Sequence, residues 1–146
     1  MARIDDHEGS QFDAPLETVW KYLQAPDAHG RAHTASRNRQ MKPLTETSVL
    51  VSWEQNMNGN WVKVANRITF FPPLGVAAEM VEGPLAGSKM LTVYTPHGPK
   101  TEVSVFGDMQ SSAVPAAQLE PMVRATWERV FNEDSAGIRE FAQSSR

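Results

Sequence analysis

The stretch AAQLEPMVRATWERVFNEDSAGIREFAQ, residues 116–143, decides the fold class by its periodicity. Its apolar side chains recur every three or four residues, as they do along one face of an α-helix. Charged side chains four residues apart, Glu120, Arg124 and Glu128, mark an outer, solvated face. The stretch therefore predicts one long amphipathic helix that must be covered on its apolar side by another element. The apolar stripe consists of Leu119, Val123, Thr126, Trp127, Val130, Ile138 and Phe141.

Residues 38–109, before this helix, alternate apolar and polar side chains with a period of two, which is typical of half-buried β-strands. Met57-Asn-Gly-Asn60 predicts a hairpin, because Asn-Gly readily adopts the positive φ angles of a type I′ turn. Pro72-Pro73, residues 82–87 and residues 96–99 mark further turns. Short connections between successive strands imply an antiparallel meander.

The N-terminal part predicts a strand followed by one or two short helices. Residues 3–12 form the expected strand. Asp13 is then placed to cap a helix, Pro15 fits its first turn, and Pro26 ends it. Residues 26–35 form a short second helix or an irregular segment. With the final helix covering the sheet, the sequence predicts a single α+β domain over residues 1–146, with a curved antiparallel sheet of six to seven strands.

Composition narrows the classes of partner. The chain has 146 residues, no cysteine and a net charge of −3, and it shows no basic excess that would predict nucleic-acid binding. The clustered cations Arg31, Arg37, Arg39 and Lys42 are interpreted as a solvated face. No apolar stretch approaches the ~20 residues of a membrane helix, and no signal peptide is evident, so we expect a cytoplasmic protein without membrane insertion, either a monomer or a homodimer.

In this order of elements the chain resembles the START-like helix-grip (SRPBCC) superfamily, in its polyketide cyclase and quinone-binding branch. The resemblance is carried by FDAPLETVW at residues 12–20, EGPLAG at 82–87, GPKTEVSV at 98–105 and the long final helix. It implies a deep apolar cavity between the sheet and that helix, used for lipids, polyketides or other apolar molecules. Both enzymes and pure binders share such a fold, so the fold leaves the activity open.

Asp134 is the most informative polar residue, because a helical count places it within the apolar stripe between Val130 and Ile138. In a continuous helix its carboxylate faces the cavity, and desolvation raises its pKa unless a partner compensates. The favoured alternative is a kink over residues 132–137 that leaves Asp134 in solvent, since Gly137 costs ~1 kcal/mol inside a helix.

Other polar residues fall on faces assigned to the interior. Asn66 lies in phase with its apolar neighbours or marks a β-bulge, and Tyr94 either pairs within the sheet or addresses a ligand. His29 and His33 are four residues apart, but no third metal ligand follows them, so we favour surface or cavity-mouth positions. His7 is expected to be exposed. No metal and no cofactor are expected.

Three hypotheses about function follow. The first is binding of a small hydrophobic or amphipathic ligand, and the second is a cyclase or aromatase that uses Asp134, Tyr94 or His33 as acid or base. The third is a protein-interaction module, which ranks last because the outer face is mixed and polar. Arg39 is a further candidate for orienting a ligand. The predicted ligand-binding set is Trp53, Val64, Asn66, Ile68, Met80, Met90, Tyr94, Trp127, Val130 and Asp134.

Overall fold

The computed structural model describes residues 2–4 and 10–144. Eight strands and three helices are present in this part of the chain. In chain order they are β1 (Ala2–Ile4), β2 (Gln11–Phe12), α1 (Leu16–Leu23), α2 (Pro26–Ala32), β3 (Ser36–Pro43), β4 (Ser48–Met57), β5 (Asn60–Phe71), β6 (Gly75–Glu82), β7 (Lys89–His97), β8 (Lys100–Asp108) and α3 (Ala116–Ser144).

The strands form one antiparallel sheet in the order β1-β8-β7-β6-β5-β4-β3, with β2 also paired to β8. From β3 to β8 each strand pairs with its neighbour in sequence, so the predicted meander and the predicted α+β class are confirmed. The single strand predicted over residues 3–12 is described only at its two ends, as β1 and β2. His7 lies outside the described residues.

The predicted hairpin at Met57-Asn-Gly-Asn60 joins β4 to β5. Asn58 and Gly59 have φ angles of 53° and 87°, the left-handed values that a type I′ turn requires. Met57 pairs with Asn60, and the ladder continues to Ser48 opposite Thr69 without a shift in register. The local Asn-Gly signal therefore fixes which residues of the two strands face the same side.

Helix α1 begins later than the sequence indicates. Asp13 is exposed and caps nothing, and the backbone carbonyl of Pro15 accepts the first helical N–H groups, from Thr18 and Val19. The reason lies in Ala14, because Thr101 of β8 donates its hydroxyl to the Ala14 carbonyl at 2.9 Å. This bond ties the segment before the helix to the sheet.

Helix α3 is continuous across residues 132–137, so the favoured kink is wrong. Asp134 is buried, with 9% of its surface exposed. Gly137 is required by packing, since a Cβ atom there would lie 2.5 Å from the hydroxyl oxygen of Tyr22. Gly137 thus lowers the stability of the helix itself but allows α1 to approach α3 closely.

The core lies where α1 and the C-terminal half of α3 meet β7 and β8. Trp20 contacts Tyr94 with ring centroids 5.7 Å apart, and Phe12 stacks on Phe131 at 5.0 Å. Elsewhere on α3, Trp127 packs onto β8 at Gly107, where a Cβ atom would be 2.7 Å from the indole ring. Helix α3 is therefore anchored at this side of the sheet. The core cluster is Phe12, Ala14, Val19, Trp20, Tyr22, Tyr94, Val103 and Ile138.

Candidate functional site

Register defines one face of the sheet that looks toward α3. Residues that pair directly in an antiparallel ladder share a face, so Trp53 and Val64 lie beside each other, and Ile68 pairs with Ala78 on the same side. Trp53, Val64 and Ile68 are only half-buried, although they face the interior. The inner face is therefore incompletely covered at these three positions, although Val51 of β4 on the same face is buried.

The predicted ligand-binding residues on β4 to β7 share this inner face. Met80, Tyr94 and Asp134 are buried, and the other seven are half-buried. Trp127 and Val130 of α3 belong to the half-buried group, like Met90 of β7. Whether these residues bind a ligand stays a prediction.

Asn66 lies on the inner face between Val51 and Met80, its direct neighbours on β4 and β6. The register with β6 shifts between Ala65 and Asn66, which is the irregularity that the sequence indicated. The Asn66 side-chain oxygen is buried, and none of the described residues donates a hydrogen bond to it. Leaving a buried acceptor without a donor costs about 1–3 kcal/mol of folding free energy. A ligand that donates a hydrogen bond to this oxygen would remove that cost.

Arg39 reaches the inner face through a β-bulge. The register of β3 with β4 shifts between Arg37 and Gln40, where Asn38 has a φ angle of 54°. Met41 pairs with Val51 on the inner face, and alternation places Arg39 there too. Because β3 ends the sheet, the Arg39 side chain is exposed. Partial desolvation still lowers the pKa of its guanidinium, and the negative charge of Asp134 partly offsets this lowering.

Of the four clustered cations, Arg37, Arg39 and Lys42 are exposed as predicted but do not share one face, and the side chain of Arg31 lies outside the described part of the structure. Arg37 lies on the outer face, where its guanidinium pairs with Glu54 at 2.8 Å and lies 3.9 Å above the Trp61 ring. Arg39 lies on the opposite face. The bulge reverses which side of the sheet each later side chain of β3 faces. Its one indication in the sequence is Asn38, because asparagine tolerates a positive φ angle.

Three donors converge on one oxygen of Asp134. Its Oδ1 atom lies 3.0 Å from the Tyr22 hydroxyl, 3.3 Å from Nε2 of His29 and 3.1 Å from Nε2 of His33. The other ring nitrogen of His33, Nδ1, is 3.5 Å from Oε2 of Glu133. Helix α1 supplies the phenol and α3 both carboxylates, while the imidazoles come from α2 and the residue that ends it. The result is a polar cluster of five side chains between the three helices.

The cluster perturbs the acidity of its members. Burial raises the pKa of Asp134, but hydrogen bonds from His29 and His33 and the charges of both rings outweigh it, so the pKa lies well below its usual range. Burial lowers the pKa of His33, yet the bond to Asp134 and the two nearby carboxylates raise it above the usual value. Burial, with Asp134 adding to it, raises the pKa values of Tyr22 and Tyr94, so both phenols stay protonated.

Sequence reasoning placed two members of the cluster differently. Of the surface and cavity-mouth positions predicted for His29 and His33, the surface positions are wrong, because the two side chains pack against α3 and are only 19% and 11% exposed. Their position at a cavity mouth stays a prediction. Tyr22 and Glu133 were not candidates. Tyr22 falls outside the apolar face of α1, which consists of Leu16, Val19, Trp20 and Leu23, and only Gly137, which leaves room for a ring, indicates a close neighbour.

A separate hollow of about 570 Å³ runs along the outer side of α3 and is open to solvent. All of its lining residues belong to α3 and none to the sheet, so it is distinct from the cavity between sheet and helix that the resemblance implies. That inner cavity remains a prediction. The outer hollow is lined by Ala125, Glu128, Arg129, Asn132, Glu133 and Ala136.

Comparison with solved structures identifies the architecture. A START superfamily protein from Mycobacterium smegmatis superposes with a TM-score of 0.75 at 12% identity, covering 89% of this chain and 93% of that one. The chain has the START-like helix-grip fold. A second structure, from Thermus thermophilus, gives a TM-score of 0.74 at 14% identity, with 99% of this chain and 97% of that one covered.

A third helix-grip structure is that of the Zhui aromatase/cyclase from a Streptomyces species. It gives a TM-score of 0.72 at 14% identity and covers 93% of this chain and 92% of that one. Identities this low establish the helix-grip fold alone. No protein-family model and no curated protein sequence matches the chain. Among the described residues, no helix is long and apolar enough to cross a membrane.

Proposed function

We propose that the protein binds a small amphipathic molecule, lipid-, quinone- or polyketide-like, between α3 and the inner face of β4 to β6. The observation that carries the proposal is the set of half-buried apolar side chains on that face, among them Trp53, Val64 and Ile68. Apolar surface that faces the interior but stays in contact with water favours a ligand, because burying it contributes ~25 cal/mol per Å² before ordering costs.

Two polar groups give the ligand its expected chemistry. The buried oxygen of Asn66 lacks a donor among the described residues, so a ligand hydroxyl or N–H group would satisfy it. The guanidinium of Arg39 lies on the same face and favours a carbonyl or an acidic group. A mostly apolar body with one donor and one acceptor therefore fits the site best.

The test compares two tryptophan substitutions at neighbouring positions of β5. Val64→Trp fills the inner face, while Lys63→Trp places the same bulk on the outer face. Binding of a fluorescent anilinonaphthalene sulfonate probe should be lost in Val64→Trp and kept in Lys63→Trp. Circular dichroism confirms that both variants are folded. Equal probe binding by the two variants, or none by the wild type, would contradict the proposal.

Asn66→Leu tests the polar part of the proposal. Removing an unsatisfied acceptor should raise the free energy of unfolding by about 1–3 kcal/mol, measured in urea. The same change should weaken binding of a hydroxylated probe such as a long-chain alcohol while leaving the corresponding alkane unaffected. If both probes lose affinity alike, Asn66 does not orient the ligand through its oxygen.

A second candidate is an enzyme of the aromatase and cyclase kind, favoured by the cluster around Asp134. His33 faces two carboxylates and has a raised pKa, which suits a proton donor near neutral pH. Tyr94 is a further candidate for acid or base. Turnover of a model polyketone, followed by absorbance of an aromatic product, should fall in His33→Gln and Tyr94→Phe while probe binding persists. Unchanged turnover in both variants would leave binding as the function.

A further inference from the structure

We propose that His29, His33 and Asp134 bind a divalent first-row transition-metal ion. Two imidazole nitrogens lie 3.3 Å and 3.1 Å from the same carboxylate oxygen. One donor atom from each residue lies within 4.8 Å of the other two. The inference does not depend on the proposed apolar ligand.

The spacing suits coordination. Metal bonds to imidazole nitrogen and carboxylate oxygen are about 2.0–2.2 Å long, so neighbouring donor atoms around one ion are separated by about 3–3.5 Å. Both nitrogen–oxygen distances fall in this interval. The ion would replace the protons that now bridge Asp134 to the two rings. The two imidazole nitrogens lie within 4.8 Å of each other and would approach to a similar separation when both bind the ion.

Glu133 supplies an independent indication. Its Oε2 atom is buried behind His33, 3.5 Å from Nδ1, which is the nitrogen that would carry the proton when Nε2 binds a metal. A carboxylate behind a histidine holds the proton on Nδ1 and thereby leaves Nε2 free to bind a metal. The Tyr22 hydroxyl similarly donates to Asp134 at 3.0 Å and fixes the orientation of the carboxylate. The three ligand side chains are 11–19% exposed, which gives an ion a path to them.

The donor set defines the class of ion. Two imidazoles and one carboxylate suit Zn²⁺, Fe²⁺, Co²⁺ or Ni²⁺, whereas Mg²⁺ and Ca²⁺ prefer oxygen alone. Asp134 carries a negative charge that a dication would neutralise, while Glu133 is already paired with Arg129 through its other oxygen, Oε1. Three protein ligands leave at least one position for water or another small molecule.

The test uses the full-length chain after removal of metal with EDTA. Co²⁺ is titrated while its visible absorption is followed, and Zn²⁺ binding is measured by calorimetry, with Mg²⁺ as the comparison ion. We expect one Co²⁺ or Zn²⁺ per chain and no saturable binding of Mg²⁺. His33→Gln and Asp134→Asn should abolish binding, and Glu133→Gln should weaken it by about 10–100-fold.

His97→Gln is the matched control, because His97 is an exposed histidine that pairs with Glu102 away from the cluster. It should bind Zn²⁺ as the wild type does. Thermal melting covers the case in which a variant is unstable: Zn²⁺ should raise the Tm of the wild type and of His97→Gln, but not that of His33→Gln. Absence of stoichiometric binding by the wild type, or equal binding by wild type and His33→Gln, would overturn the proposal. Apolar-probe binding by the metal-free protein separates this result from the proposed function.

Discussion

Gly137→Ala tests the close packing of α1 against α3. Alanine is favoured over glycine inside a helix by ~1 kcal/mol, so helix propensity alone predicts a more stable protein. The new Cβ atom, however, would lie 2.5 Å from the Tyr22 hydroxyl oxygen and 3.0 Å from the adjacent ring carbon. Overpacking of this kind costs about 1–3 kcal/mol.

The displaced ring would also lose its hydrogen bond to Asp134. A hydrogen bond to a charged group contributes about 1.5–3 kcal/mol, although the two costs overlap because one movement causes both. Against the gain of ~1 kcal/mol in helix propensity, we expect a net loss of about 1–3 kcal/mol. For a domain of this length the loss corresponds to a Tm lower by roughly 3–10 °C.

The assay is urea unfolding followed by circular dichroism, with two comparisons. Gly30→Ala is the matched control, because none of the described neighbours brings an atom within 4 Å of a Cβ atom at this position in α2, and it should stabilise the protein. In a Tyr22→Phe background, which lacks the nearest atom, Gly137→Ala should cost less by about 0.5–3 kcal/mol. Stabilisation by Gly137→Ala equal to that of Gly30→Ala would refute the reasoning.

Three further predictions concern stability. Because the folded-state pKa of Asp134 is lowered, its charged carboxylate stabilises the metal-free protein at pH values above the ordinary carboxyl range, and this stabilisation is lost as the pH falls. The urea midpoint should therefore depend less steeply on pH on the acid side in Asp134→Asn than in the wild type. The exposed Asp108→Asn is the control and should keep the wild-type pH dependence. Thr101→Val should lower the free energy of unfolding by about 1–3 kcal/mol by leaving a buried carbonyl unpaired, whereas the exposed Thr95→Val should change it little in the same measurement. Arg37→Ala removes an exposed ion pair and should cost less than about 1 kcal/mol, and an equal loss in high salt would contradict its electrostatic origin.

Features that depend on neighbours in sequence were predictable. Periodicity over residues 116–143 predicted α3 within a residue of its end, and Asn58-Gly59 predicted the hairpin that sets the β4–β5 register. The shift in register at Asn66 was also indicated, because a polar residue interrupts an apolar face. These signals are local, since each follows from side chains a few positions apart.

Features that depend on distant segments were not predictable. His29 and His33 gain their third partner from α3, about a hundred residues farther along, and no spacing rule connects them to Asp134. Gly137 likewise owes its place inside α3 to a distant residue, because Tyr22 of α1 occupies the space that a side chain at position 137 would need. Arg39 changes face through a single extra residue in β3, and a shift of one position inverts every side chain beyond it.

The bulge in β3 has a further consequence for the behaviour of the protein at high concentration. Within the described chain β3 is the last strand of the sheet, and its outward backbone groups are open to pairing with another molecule. An incoming strand would meet a kink at Asn38, positive charges at Arg37, Arg39 and Lys42, and a proline without an amide hydrogen at Pro43. The distortion that turns Arg39 inward thus also disfavours the strand-to-strand aggregation to which an open sheet is prone.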